Sequence, residues 1–416
     1  MSNRRGGEQR TAGFPVLTVI ALMAGIFAVG SEELVVSPLL VDVADSFHTS
    51  VAVIGLSVST YGIATAIGAL LFAPLGDRVS RRLSLAIGMA VFILGTLLCA
   101  FAATLGVFFA GRVLAGLATG AFVPTAYAFV GDQIPYRHRA KAMGVVVSSW
   151  SLSLVLGVPM GSFVGQWASW RSTFGMLAIL GVLVVCLLLR VDSESRPDPD
   201  GSPRLQDAAA ISARPGWTRS VARAFLVPKV PGYVLATFLN MLGFYGMYTY
   251  LGSALKYQFG TESALTGIMI LLYGLGFSTS FITGRWADEW GKEKMLVALL
   301  AGLAPVLVIL SLGARLTALL VCCLFLWGAM QSLVVTLLST LLSECSQRYR
   351  GTILAFYSLA TNLAVAFGAA LLGPLFTAHG FSAVGLVCAG VTFVAFGLSE
   401  WVYGRNRERD RPTAAG

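Results

Sequence analysis

Charge is what this chain lacks most. Of its 416 residues only 12% are charged while 56% are hydrophobic, and the mean hydropathy is +0.78. A soluble protein of this length needs a charged shell, so an apolar surface this wide excludes water as the main solvent and fits lipid. Histidine is nearly missing: His48, His138 and His379 all fall in or near loops, and no metal-ligand spacing surrounds them. There is no Gly-x-x-x-x-Gly-Lys loop to cradle a nucleotide phosphate, which argues against direct use of ATP. With no soluble catalytic domain, an enzyme is excluded and no cofactor is expected, so energy must come from an ion gradient. The six cysteines (Cys99, Cys186, Cys322, Cys323, Cys345 and Cys388) lie within or at the ends of apolar runs and read as small hydrophobes in packing.

What the chain has is a series of apolar runs, each near the ~20 residues that a helix needs to cross ~30 Å of hydrocarbon. Strands of a barrel would alternate, whereas runs such as Leu83 to Ala103 and Leu296 to Gly313 are apolar on every face. The expected fold is an all-α membrane protein with twelve spans, at 14–40, 51–75, 83–104, 106–131, 138–166, 171–190, 231–256, 264–287, 294–313, 316–343, 350–377 and 381–403. The first follows a basic start (Arg4, Arg5, Arg10) but runs past signal-peptide length without a small-residue cleavage site, so it is read as retained.

Sorting the 29 Lys and Arg by predicted loop puts all but Arg112, Arg171, Lys256 and Arg315 on one side. Positive residues stay cytoplasmic, which places both termini and the central loop inside. The same asymmetry accounts for the net charge of +9 without a nucleic-acid partner.

The stretch 191–229 breaks the apolar pattern with Asp192, Glu194, Pro197, Asp198, Pro199 and Pro203, and reads as a cytoplasmic linker, part disordered and part surface helix. It divides the chain into a tail (1–13), a six-helix bundle (14–190), a second six-helix bundle (230–404) and a second tail (405–416). The two bundles repeat each other. Asp77 and Asp288 sit in matching loops 211 residues apart; Arg139 and Arg350, and Gly157 and Gly368, keep the same offset. Parallel six-span repeats rocking about a midplane site are an alternating-access architecture. The partners it implies are a small-molecule substrate, coupling protons and the lipid bilayer, and the chain is expected to act as a monomer.

The loop Ala73-Pro-Leu-Gly-Asp77-Arg78-Val-Ser80-Arg81-Arg82 resembles the Gly-x-Leu-Ala-Asp-Arg-x-Gly-Arg-Arg motif of the major facilitator superfamily, with Ala73 and Ser80 in place of the glycines. Gly284, Asp288 and Gly291 form a second copy. Arg112-Val-Leu-Ala-Gly116 with Gly120, and Gly157-Val-Pro159-Met-Gly161-Ser162, are similar to the fourth- and fifth-helix motifs of its twelve-span drug:proton antiporters and sugar exporters; Val158 and Ser162 replace usual glycines. The resemblance implies proton-coupled efflux of hydrophobic or cationic drugs or antibiotics from a bacterial inner or cell membrane. Export of sugars or an endogenous metabolite is the alternative, and an uptake symporter or a non-transporting receptor is more remote.

Ionisable side chains among lipid tails are functional candidates by default. Glu32 and Glu33 interrupt the first span. They point about 100° apart, so at most one faces a cavity squarely. Likeness of Ser31-Glu-Glu-Leu34 to the exporters' Thr-Thr-Glu-Phe favours Glu33; the competing reading is a solvated rim carboxylate. Burial disfavours a carboxylate and an arriving cation favours it, so proton and cation would expel each other. The resemblance gives Arg112 a part in proton relay or in organising the buried network, against simple interfacial snorkelling.

Asp77, Arg78 and Arg81, with Asp132, Asp288, Glu344 and Arg350, are read as a cytoplasmic latch. Gly157, Gly161 and Gly165 form a stripe expected to pack on the eighth helix, with Pro159 adding a bend. Tyr61, Trp150, Asn240, Tyr245, Tyr248, Trp327, Gln331, Tyr357 and Asn362 are the polar and aromatic mid-span candidates for substrate contact; each alone is equally an ordinary packing residue.

Overall fold

The computed structural model describes residues 14–72, 80–191, 217–259, 263–279, 289–312 and 317–409. Among them every regular element is helical. The first span is Val16–Leu34 followed by Val36–Ser46, joined through Val35, whose φ of −69° and ψ of −17° are helical. It therefore runs six residues beyond the predicted end at 40. Pro38 has no N–H to give the Leu34 carbonyl, which is why the hydrogen-bond ladder loosens here.

The second to sixth spans are Val51–Phe72, Arg81–Ala100, Leu105–Gln133, Tyr136–Trp167 and Trp170–Arg190. Ser80, Thr104 and Ser169 cap three of them, each side-chain oxygen accepting from a backbone N–H three residues on. The fifth contains a π turn, Ser153–Gly157, immediately ahead of Pro159. Without a proline N–H the Val155 carbonyl loses its ordinary partner, and a wider turn relieves the clash.

In the second half the spans are Val230–Phe259, Ser263–Ser278, Lys292–Leu312 and Thr317–Glu344, then Arg350–Arg409. The last of these holds the eleventh and twelfth spans, broken at Gly380, whose φ of +74° suits glycine. Nine described helices, counting this one once, are long and apolar enough to cross a membrane. The seventh and eighth complete the twelve passages. From the linker, Trp217–Phe225 is a short helix lying on the base of the eleventh span, with the Phe225 and Phe356 rings 5.5 Å apart.

The buried apolar side chains form one body at one end and two at the other. Toward the end away from the termini a single cluster joins both halves, from Leu34, Val58 and Leu154 to Tyr250, Trp327 and Val365. Toward the termini it divides into a first-half cluster around Leu22, Phe92 and Phe122 and a second-half cluster around Tyr233, Leu300 and Leu338. Contacts between the halves follow the same division: first span with seventh, second with eleventh, fifth with eighth. The bundle is closed at the end opposite the termini.

Small residues set the closest approaches. Gly116 and Gly120 of the fourth span lie on the second-span backbone at Tyr61 and Thr65, and Gly328 of the tenth does the same at Tyr273 of the eighth. A side chain at Gly120 would overlap the Thr65 carbonyl, which cannot yield. Gly120→Leu is therefore expected to destabilise the protein by about 1–3 kcal/mol, read as a lower midpoint in thermal unfolding in detergent.

The fifth-span glycine stripe corrects the sequence reading. Gly157, Gly161 and Gly165 face the first helix, where an added Cβ would meet Ser31, Val35 and Leu39 in turn. The eighth helix does touch the fifth, but through its own Gly267 and Gly274, set against Pro159 with Ser162 and against Leu154 with Val155. A spacing of four fills one face only, and the sequence does not say which neighbour that face meets.

Candidate functional site

Glu32 and Glu33 meet different partners. Glu32 is fully buried inside the first half, ion-paired with Arg112 of the fourth span. The same guanidinium donates to the Glu32 carbonyl at 3.2 Å and lies 4.3 Å over the Tyr61 ring. Tyr61 Oη is 2.7 Å from Thr119 Oγ1. Each charge here has its opposite, and the ring adds a cation–π contact. The charges balance, while Glu32 Oε2 and Arg112 Nε and Nη2 stay without a hydrogen-bond partner among the described residues. Tyr61, expected to face substrate, is instead packed into this unit, because the Arg112 guanidinium occupies its face.

Glu33 turns toward the second half. Its Oε1 accepts from Tyr245 Oη at 2.9 Å, across 212 residues of sequence. One turn on, Tyr248 Oη donates to the Leu34 carbonyl at 3.3 Å, the carbonyl that Pro38 leaves without its helical partner. Ser37 Oγ donates to the Tyr248 carbonyl, 211 residues away. The Ser37 to Tyr248 separation equals the repeat distance, and that from Glu33 to Tyr245 exceeds it by one. Equivalent positions in two halves related by a two-fold axis can touch each other only beside that axis, so Glu33 and Ser37 lie along it. Glu33, Leu34, Ser37, Val58, Tyr245, Tyr248 and Thr249 enclose a cavity with room for about one water molecule.

Farther toward the closed end, Gly252 lies on the backbone of Ser37 and Pro38, and Lys256 forms an ion pair with Asp42. Both side chains are about 30% exposed, where such a pair contributes at most about 1 kcal/mol. Asp42→Asn is expected to raise the open population of this end by less than about tenfold. The check is labelling by an impermeant thiol reagent of a cysteine placed at Thr249, in a background without the six native cysteines.

The second half mirrors the first in position but not in chemistry. Phe244 follows Glu32, and Tyr273 follows Tyr61, by 212 residues, one more than the repeat distance. Phe244, Tyr273 and Trp327 form an aromatic group, with Tyr273 and Trp327 centroids 4.8 Å apart and Phe244 at 5.9 and 5.8 Å from them. Asn240 and Gln331 are buried beside it. Trp150 is half-buried and donates from Nε1 to Tyr127 Oη at 3.0 Å. Tyr357 is half-buried on the eleventh span. Asn362 donates to the Ser358 carbonyl of its own helix, and its backbone oxygen faces Gly62, which puts it at the second-to-eleventh contact rather than the cavity.

Of the proposed latch, Asp77, Arg78 and Asp288 lie outside the described residues. Arg81 Nε is 3.3 Å from Asp132 Oδ2. Glu344 pairs with Lys292, which the sequence offered only as a loop charge, and Arg350 is exposed at the start of the eleventh span. Lys292 follows Arg81 by the repeat distance and Glu344 follows Asp132 by one more, so each half ties its third (or ninth) span to its fourth (or tenth) in the same way. Sequence reasoning also missed Asp42, Thr249, Phe244 and Tyr273. For Asp42 a signal existed: Lys256 was one of the four basic residues that the loop sorting set apart from the rest, and a lone cation there needs a carboxylate.

The family model described as the Major Facilitator Superfamily matches residues 21–278 and 233–416. The chain belongs to the major facilitator superfamily. Among its relatives in the superfamily, an uncharacterized MFS-type transporter, YwfA of Bacillus subtilis (strain 168), is 48% identical over 403 residues, covering 97% of this chain and 96% of the relative. A probable sugar efflux transporter of Helicobacter acinonychis (strain Sheeba) is 28% identical over 313 residues, 74% of this chain and 75% of that one. The crystal structure of a D-xylose-proton symporter superposes with a TM-score of 0.73 at 18% identity, covering 91% of this chain and 97% of that one, which shows the shared fold. Superfamily members are transporters, not enzymes, and this one is a multi-pass membrane protein of the same all-α fold.

Proposed function

We propose that the protein is a proton-coupled exporter of hydrophobic or cationic compounds that works by alternating access, with Glu33 as the group that exchanges a proton for substrate. The observation that carries this is the placement of Glu33. It lies on the axis between the halves, beside the cavity, held by a phenol of the opposite half. Glu32 is already neutralised by Arg112, so Glu33 is the acidic group left for exchange. As a carboxylate it attracts an organic cation into an aromatic surround; a proton taken up there releases the cation. Raising the pH therefore tightens cation binding, since deprotonation creates the anionic form.

The Glu33 to Tyr245 bond also ties occupancy to motion. A substrate seated on the carboxylate competes for the atom that holds the halves together, so loading and rocking are linked. With both termini and the 191–229 linker in the cytoplasm, the bundle is closed to the outside and the 14–190 and 230–404 halves part toward the cytoplasm, where an exporter collects its load. The Arg81 with Asp132 and Lys292 with Glu344 pairs then lie at the cytoplasmic rim, where Asp77 and Asp288 would join them to latch the opposite state. The unit is a monomer in the plasma membrane.

A second reading, export of a sugar or endogenous metabolite, is favoured by the relative named as a probable sugar efflux transporter. Inside-out vesicles separate the two: ethidium accumulation driven by an imposed proton gradient supports the first, and accumulation of labelled lactose without ethidium supports the second.

A further inference from the structure

The second half buries polar groups that nothing in the fold uses. Asn240 of the seventh span and Gln331 of the tenth are each 1% exposed, and Trp327 is fully buried. Neither Asn240 Nδ2 nor Oδ1 forms a hydrogen bond within the protein, and the same holds for Trp327 Nε1, Gln331 Nε2 and Tyr273 Oη. Each such group left unpaired in an apolar interior is costly, so a set of them in one place marks a position where a ligand atom belongs.

They are in one place. Phe244 and Trp327 touch, with centroids 5.8 Å apart. Asn240 is one helical turn before Phe244 and Gln331 one turn after Trp327. The seventh and tenth spans run in opposite directions, so both amides lie one turn nearer the termini than that contact. This is the level at which the buried core divides in two: Ala236 and Val334 belong to the second-half cluster, Met241 and Trp327 to the joint one. The amides thus stand, still buried, where the two clusters part.

The chemistry is neutral and rich in donors. Among the described residues every buried polar side chain of the second half is uncharged. The unpaired set holds an indole N–H and two amide NH₂ groups against a single amide oxygen, with the Tyr273 hydroxyl able to act either way. Such a set fits an oxygen, that of a hydroxyl or carbonyl, and has nothing to offer a charge. Five residues of helix separate Asn240 from Tyr245, about 7.5 Å along the axis.

We propose that Asn240, Trp327 and Gln331 form a hydrogen-bonding subsite for a hydroxyl or carbonyl oxygen of the transported molecule, on the same helix as Tyr245, the partner of Glu33. Resting on the reading of Glu33 above, this defines the substrate class as an organic cation that also carries a neutral oxygen function, rather than a cation alone.

The test is calorimetric binding to the full-length protein in detergent with two cations: puromycin, which carries hydroxyl and carbonyl oxygens, and tetraphenylphosphonium, which carries none. In Asn240→Leu, and separately in Gln331→Leu should the first variant not fold, affinity for puromycin is expected to fall about tenfold more than affinity for tetraphenylphosphonium, as loss of one hydrogen bond to a buried group predicts. Equal weakening of both cations, or unchanged puromycin binding, would overturn the subsite and leave the amides to packing or internal water. Wild type that binds neither cation would overturn the substrate class. Failure of the Glu33 reading shows separately, as tetraphenylphosphonium binding that Glu33→Gln leaves intact.

Discussion

Glu33→Gln is expected to reduce proton-driven substrate flux in proteoliposomes to the level of empty liposomes, while exchange of substrate across the membrane without a gradient survives. Glutamine has the same shape, and its carbonyl still accepts from Tyr245 Oη, so the contact between the halves and the fold remain. What is lost is the ability to take up and release a proton. Exchange needs only rocking of the halves; gradient-driven flux needs the proton as well. The split between the two assays is the diagnostic feature. Loss of both would mean a folding or closure defect, and normal gradient-driven flux would move proton coupling to another group.

Arg112→Leu should be the most damaging single change for stability. It leaves Glu32 fully buried with no counter-charge, a situation that typically costs about 3–5 kcal/mol when one member of a buried pair is removed. The Tyr61 ring loses its cation at the same time. The double variant Glu32→Gln with Arg112→Leu removes both charges and is expected to recover most of the thermal stability. If the pair also takes part in proton movement, gradient-driven flux stays low in the double variant. Recovery of flux together with stability would make the pair a purely structural element.

How much of this was legible in the sequence depends on what kind of signal each feature leaves. Twelve apolar runs of spanning length leave a strong one, and the helices appear where they were expected. The 211-residue repeat was visible in Asp77 and Asp288, and the structure uses it again in Ser37 with Tyr248 and in the matching ion pairs of Arg81 and Lys292. Rotation of each helix about its own axis leaves almost no signal. A helix that is apolar on every face gives no periodic stripe to orient it. For that reason the glycines of the fifth span were matched to the wrong neighbour, and Tyr61 was placed toward substrate when it lies over Arg112. The assignment of two adjacent glutamates to opposite halves belongs to the same class, because it depends on a 100° turn that only packing resolves. Proline was the exception: Pro38 is readable in sequence, and the free Leu34 carbonyl it creates is the one Tyr248 occupies.

The central claim is that proton and cation compete for Glu33. Proton release from purified protein in weakly buffered detergent, on adding ethidium, measures it directly, with wild type beside Glu33→Gln. Release is expected from wild type and none from the variant. Ethidium binding without proton release from wild type, or equal release from both proteins, would contradict it.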